Sequence, residues 1–319
     1  MTATDALGPH LLERRLLFVT GKGGVGKTTV AAALGWLGAA KGLRTLVCEV
    51  DAKGNLADSY ECGEIGFRPK PVTDGLWAMA MDTEESLKEY LRLQMRVPLV
   101  ARIGPLARSL DFVASAAPGV KEILTVGKLC YEVREGRWDL IVVDAPATGH
   151  VVGLLAAPQA IRELVKVGRV REQTEWIVQI LSDADITGAV IVTAPEEMPV
   201  NEALELAGRI ADETTVDLAA VVVNKVLPEL FGRAEEECFE TLASSGRLEA
   251  ALGPAAASVV SGARLAVRLR RTRAAHLGRL RRELPAGPEL LYLPYLFTRD
   301  HGLRSTTTVA ESLSAELGF

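Results

Sequence analysis

The stretch Gly21-Lys22-Gly23-Gly24-Val25-Gly26-Lys27-Thr28-Thr29 constrains this chain more than any other. It satisfies G-x-x-x-x-G-K-[ST] at every position, and its flanks matter as much as its letters. Leu16-Leu17-Phe18-Val19-Thr20 is a short apolar run that reads as a buried strand, and Val30-Ala31-Ala32-Ala33-Leu34 reads as a helix. A strand that breaks into a glycine loop and resumes as a helix is the setting in which this spacing binds phosphate. The glycines let successive backbone N–H groups turn inward around phosphate oxygens, and the helix N-terminus adds positive potential. Lys27 reaches the β- and γ-phosphates, and the Thr28 hydroxyl can ligate Mg²⁺. The candidate nucleotide-binding residues are therefore Gly21, Gly23, Gly24, Val25, Gly26, Lys27, Thr28 and Thr29. Lys22 is a second lysine in the loop. It reads either as a solvated side chain or as a second cation for the phosphates.

The remaining pattern predicts an α/β fold. Apolar runs at 45–50, 76–81, 140–143, 189–192, 219–223 and 290–293 alternate with helical segments, as in a doubly wound, mostly parallel sheet. Residues 1–14 read as a flexible tail and 15–319 as the folded unit. The segments 84–135 and 151–185 have helical spacing and are expected to pack together as a helical subdomain. Helices are expected at 84–97, 99–110 and 120–134 within it, at 228–283 as a further stretch, and at 305–317. Gly35 and Gly38 lie one turn apart on the first helix, which lets it approach the sheet closely.

Composition excludes several classes. A net charge of −5 argues against a nucleic-acid binder. No charge-free apolar run approaches 18 residues, so no membrane span is expected, and the polar start predicts no signal peptide. Cys48, Cys62, Cys130 and Cys238 are scattered without a C-x-x-C pair. A disulfide framework or zinc site is not expected, and a cytoplasmic location is.

Ligands of such sheets sit at the carboxyl ends of the strands. There the chain offers Asp51 after the second strand and Asp144 after the fourth, in Asp144-Ala145-Pro146-Ala147-Thr148-Gly149-His150. An acid in this position can hold Mg²⁺ through water, and a second can orient the attacking water. The bland alternatives are a loop cap for Asp144 and a helix N-cap or turn for Asp51. Gly149 can present its N–H to the γ-phosphate, and His150 is an ordinary histidine or a coupling residue. Asn224 can read an adenine edge or be a turn residue, and Pro294 and its neighbours can offer backbone contacts to the base. Eight arginines between 264 and 282 form a solvated helix face, or else a surface for an acidic partner, an anionic membrane or nucleic acid.

Taken together, the loop, Thr148-Gly149-His150, Leu76-Trp77-Ala78-Met79-Ala80-Met81-Asp82, Pro118-Gly119-Val120-Lys121-Glu122, Pro195-Glu196 with Asn201-Glu202, and Val223-Asn224-Lys225 resemble the ArsA family of deviant-Walker ATPases. That family covers arsenite-pump ATPases and the ATPase that guides tail-anchored membrane proteins. The resemblance implies a P-loop NTPase fold of the SIMIBI type with an inserted helical subdomain, and ATP and Mg²⁺ as cofactors. It implies that Lys22 reaches across a dimer to the partner's nucleotide and that Asp51 positions the hydrolytic water, with Asp51 also a candidate near the metal. It further implies that Asp144 lies on the Mg²⁺ side with Thr28, and that Asn224 reads adenine. Catalysis would then rest on Asp51, Lys22 and Lys27.

The sequence also departs from that family. Asp51-Ala52-Lys53-Gly54-Asn55-Leu56 replaces D-P-A-H-S-L, and Asp144-Ala145-Pro146-Ala147-Thr148-Gly149-His150 replaces D-T-A-P-T-G-H, with Ala and Pro exchanged. A tandem second half, a cysteine triad and a methionine-rich groove are not found, and only Met95 falls within the expected helical subdomain. The reading is a single-half Mg²⁺-ATPase working as a homodimer, or as a heterodimer with a paralogue. Its closure would control a protein client or a partner at the membrane periphery. The alternatives are a ParA/MinD-like spatial organiser and, least supported, the ATPase subunit of an anion or metalloid pump.

Overall fold

The computed structural model describes residues 10–51, 53–94, 119–229, 231–298 and 302–319. The expected helix 99–110 and Met95 lie outside these residues. Eight described strands form one sheet: β1 (Leu16–Gly21), β2 (Thr45–Glu49), β3 (Lys70–Thr73), β4 (Leu76–Ala80), β5 (Leu140–Ala147), β6 (Thr187–Thr193), β7 (Asp217–Val226) and β8 (Glu289–Pro294). Their order is β3-β4-β2-β5-β1-β6-β7-β8, and every pair is parallel except β3 with β4. The apolar runs are near-continuous because both faces of the sheet are covered. Alternate residues serve opposite cores. Leu16, Phe18, Leu46, Ile141, Val143 and Ile191 enter one core, and Leu17, Val19, Val47, Val142 and Val190 the other.

The second core is closed by α1 (Lys27–Ala40), α2 (Asn55–Tyr60) and, at the end of the chain, Leu303–Glu316. Gly35 and Gly38 bring α1 onto the sheet. A Cβ on Gly38 would stand 2.7 Å from both Leu140 Cδ2 and Thr45 Oγ1, and one on Gly35 would meet Val47 and Tyr60. The first core is closed by four helices that follow α3 (Thr83–Gln94), namely α4 (Val120–Glu135), α5 (Thr148–Leu164), α6 (Arg169–Ser182) and α7 (Glu197–Glu213), while α3 itself packs on α4. Helices α3 to α6 pack against one another and enclose a cavity of about 220 Å³, lined by Leu87, Tyr90, Ile123, Leu124, Trp176 and Ile177 among others.

Four local expectations need correction. First, the packed chain begins before residue 15. Leu11–Glu13 is a 3₁₀ turn, Leu11 is buried, and buried Arg14 lies 2.7 Å from Asp217. Second, β3 escaped notice because Pro71 and its half-buried alternation suit an edge strand rather than an apolar run. Third, β5 continues to Ala147 by pairing with β1, so Asp144 stands inside a strand and Thr148-Gly149-His150 forms the first turn of α5 rather than a loop. The Thr20 hydroxyl fixes this extension by donating to the Pro146 carbonyl at 2.9 Å. Likewise Pro294 is the last residue of β8, beside Val226, and does not follow the strand.

Fourth, the stretch 228–283 is broken into α8 (Arg233–Ser244), α9 (Arg247–Leu252), a 3₁₀ turn (Gly253–Ala255) and α10 (Ala256–Glu283); the closing helix Leu303–Glu316 is α11. Gly246 and Gly253 interrupt it with positive φ. The arginines of α10 are largely engaged within the chain. Arg264 pairs with Glu240, Arg271 with Glu236, Arg273 with Glu196, and Arg281 donates to the Tyr292 hydroxyl.

Candidate functional site

The glycine loop hangs between β1 and α1 at the carboxyl edge of the sheet. Gly24 and Gly26 have φ of +85° and +97°. Gly26 also admits the Asn224 side chain, which a Cβ would strike. Lys27 folds back over the loop, with Nζ 3.3 Å from the Lys22 carbonyl oxygen. Burial lowers its pKa, with the Asp144 charge opposing that shift. Nothing lies within 4 Å of a Cβ built on Gly23 or Gly24, so this side of the loop is open for a ligand.

Asp144 and Asp51 come from neighbouring strands, since Glu49 of β2 is in register with Asp144 of β5. Asp144 is 7% exposed and accepts the Thr28 hydroxyl through Oδ2 at 2.6 Å. Its Oδ1 is buried without a partner. Burial pushes its carboxyl up to about 6, against the pull of the Thr28 donor and of Lys27. Asp51 is different. Its side chain is 42% exposed, and its nearest ionic partner is Lys53 at 3.5 Å. It does not cap α2, whose N-cap is Gly54. The loop between them is gathered by Glu49, which accepts the N–H groups of Lys53, Gly54 and Asn55 at 3.2–3.3 Å.

Lys22 turns away from its own loop and pairs with Glu202 on α7. Asn224 is not free at the sheet edge. Its amide donates to the Val25 carbonyl at 2.9 Å, and its Oδ1 accepts the Lys225 N–H at 2.8 Å. One amide proton and one oxygen lone pair remain for a base. Lys225 adopts φ of +62° and donates from Nζ to the Gly24 carbonyl at 2.8 Å.

A strand–loop–helix cradle flanked by an acid inside β5 and another just beyond β2 fits a nucleotide, and comparison with known proteins assigns the family. The family described as anion-transporting ATPase, ArsA ATPase, matches residues 14–175 and 163–244. The chain belongs to this family. It is 32% identical to the ATPase BagA of Mycobacterium tuberculosis over 225 residues, 67% of this chain and 66% of that protein. It is 28% identical to a putative arsenical pump-driving ATPase of Halobacterium salinarum, covering 72% of this chain and 39% of that one. It is also 28% identical to the ATPase GET3C of Arabidopsis thaliana, covering 71% and 69%. The chain thus spans about two thirds, or less, of the first two relatives named here.

For an ArsA-family chain the question is whether these residues suit Mg²⁺. They do. Mg²⁺ keeps several waters and takes one or two protein oxygens beside the phosphates. Asp144 offers an unpartnered buried oxygen, Oδ1, on the same carboxylate whose Oδ2 accepts the Thr28 hydroxyl at 2.6 Å, at a site whose burial disfavours a bare charge. Among the described residues no group of three or more His, Cys, Asp or Glu could hold a metal ion.

Three residues of this site carried no role in the sequence reading. Glu49 looked like the end of a strand. Lys225 looked like a turn neighbour of Asn224. Glu202 was only one of the family marks. Lys225 and Glu202 meet partners 201 and 180 residues away, which no local pattern signals, whereas Glu49 gathers N–H groups only 4 to 6 residues along the chain.

Proposed function

We propose that this chain is a Mg²⁺-dependent ATP hydrolase that closes as a dimer over its nucleotides, and that closure controls the binding of a protein client or membrane-associated partner. The observation that carries this is the divergence of the two loop lysines. Lys27 turns in over the loop, whereas Lys22 leaves it for Glu202 on another helix. A lysine that does not serve its own cradle can serve a neighbour's once it leaves Glu202. Thr28 and Asp144 would hold Mg²⁺, the latter through water, and Asp51 would orient the attacking water. Bound Mg²⁺ supplies charge neutralisation between the phosphates. The loop N–H groups and Lys27 hold those phosphates, Gly149 in the first turn of α5 reports their presence, and Asn224 and the end of β8 near Pro294 line the base. A lysine brought from the partner stabilises the transferring phosphoryl group as an arginine finger does, an effect of about 10³–10⁵ in rate.

Helices α3 to α6 are the proposed client-responsive part. Their apolar cavity is lined by leucine, isoleucine and aromatic side chains, and α5 links it directly to Thr148 at the nucleotide. No described helix is long and apolar enough to cross a membrane, so contact with a bilayer would be peripheral. The spatial-organiser reading retains Gly54-Asn55 at the start of α2, but the arginines that favoured it mostly face acids of their own chain. The test is mass measurement by light scattering with ATP and Mg²⁺, using the Asp51→Asn form to slow turnover. Doubling of mass with ATP and reversal with ADP support the reading; a monomer under every nucleotide condition contradicts it.

A further inference from the structure

Glu202 stands near the start of α7 and divides its two oxygens between two remote elements. Oε1 takes the Lys22 ammonium, and Oε2 accepts the Thr148 hydroxyl at 3.3 Å. Lys22 is 180 residues away and belongs to the phosphate loop. Thr148 is 54 residues away and opens α5, directly after the strand that carries Asp144. One carboxylate therefore joins the loop lysine to the turn beside the metal-side acid. The platform is held from behind. Asn201 accepts Arg279 of α10 at 2.5 Å, and Glu196 pairs with Arg273 at 3.1 Å. With α7 anchored, the groups left to move are the loop lysine and the Thr148 turn.

We propose that Glu202 is a positioning residue that parks Lys22 within its own subunit and releases it when the Thr148 turn shifts. The inference rests on the reading that Lys22 serves the partner's phosphates. An ammonium paired with Glu202 of its own chain cannot at the same time reach across a dimer. Insertion therefore requires exchange of a carboxylate for a phosphate, which carries more negative charge. Both side chains are about 30% exposed, 31% for Lys22 and 29% for Glu202, so the pair is weak enough to exchange. Because Thr148 shares the carboxylate, displacement of this turn by nucleotide loosens the clasp. Glu202 thus links the state of one site to the availability of the lysine for the other.

The test has two readouts. The first is the acylation rate of Lys22 by an amine-reactive acetyl ester in the full chain, followed by mass spectrometry. Glu202→Gln is expected to speed labelling of Lys22 about two- to fivefold, the scale of a lost half-exposed ion pair, and Thr148→Val to speed it less. Glu202→Asp, one methylene shorter, serves as a second variant should Glu202→Gln fold poorly. The second readout is the rate of ATP-driven dimer formation. It should rise by a similar factor in Glu202→Gln, and the increase should vanish when Lys22→Met is added. Unchanged Lys22 labelling in both Glu202 variants overturns the clasp whatever the ATPase does. Faster labelling with unchanged dimer formation overturns its role as a brake. Full turnover in Lys22→Met alone overturns the trans reading instead, and the labelling result separates that failure from a failure of the clasp.

Discussion

Asp144 and Asp51 each follow an apolar run and look alike in sequence, yet the fold treats them in opposite ways. Asp144 sits inside β5, 7% exposed, with one oxygen on Thr28 and the other unpartnered. Asp51 lies beyond β2 with a half-open side chain near Lys53, on a loop whose backbone is gathered by Glu49. The first is positioned by the sheet itself. The second is positioned by a loop that three backbone hydrogen bonds to one carboxylate hold in place. Their proposed roles match this contrast. A metal-side acid gains from a fixed, dry setting, whereas an acid that must meet an incoming water gains from a side chain that solvent reaches.

The contrast can be broken by mutation. Asp144→Ala is expected to have the largest effect, a loss of Mg²⁺-supported turnover on the order of 10³-fold with weakened Mg²⁺–nucleotide binding. Asp51→Asn is expected to lower turnover about 10²-fold while nucleotide affinity, measured by titration calorimetry, stays near that of the wild type. Equal losses of affinity in both would erase the distinction.

Stability against pH sharpens it. The Asp144 carboxyl is pushed up to about 6 from 3.8 by burial. Between about pH 4 and pH 6 the folded chain therefore holds a proton that the unfolded chain has released. The stability contributed by this group falls as pH rises through that window and is level on either side. Asp144→Asn removes the penalty, so its unfolding free energy in denaturant titration should gain on the wild type across this range, by on the order of 3 kcal/mol by pH 7. A constant difference would show that burial does not set this carboxyl. Asp139 provides an opposite control. Its hydrogen bonds from Arg44 hold it down to about 2, so its contribution is lost as pH falls below about 4. The smallest expected effect is that of Glu49→Gln, which keeps the shape but weakens charge-assisted bonds to the loop after Asp51. A destabilisation of about 1–2 kcal/mol in denaturant titration, with turnover reduced more than affinity, would mark the loop as its target.

The sheet and the cradle were legible in sequence because their signals are local. Strand, glycines, Lys27 and Thr28 fall within one short segment, and strands buried on both faces leave uninterrupted apolar runs. β3 was invisible because an edge strand with Pro71 carries neither signal. β5 runs past its apolar run because pairing with β1, a non-local event, extends the strand through Pro146 to Ala147, and the expected loop before α5 disappears. The wiring of the site was beyond reach for the same reason. Glu202 meets Lys22, and Lys225 meets Gly24, only once the fold has brought distant elements together.

The most direct measurement of the central claim mixes two inactive forms. Lys22→Ala lacks the lysine offered to a partner, and Asp51→Asn lacks the acid for its own site but retains Lys22. If Lys22 acts across the dimer, equimolar mixing should restore about a quarter of the wild-type ATPase rate, because random pairing makes half the dimers mixed and each has one complete site. A mixture no more active than the average of its two parents would contradict the account.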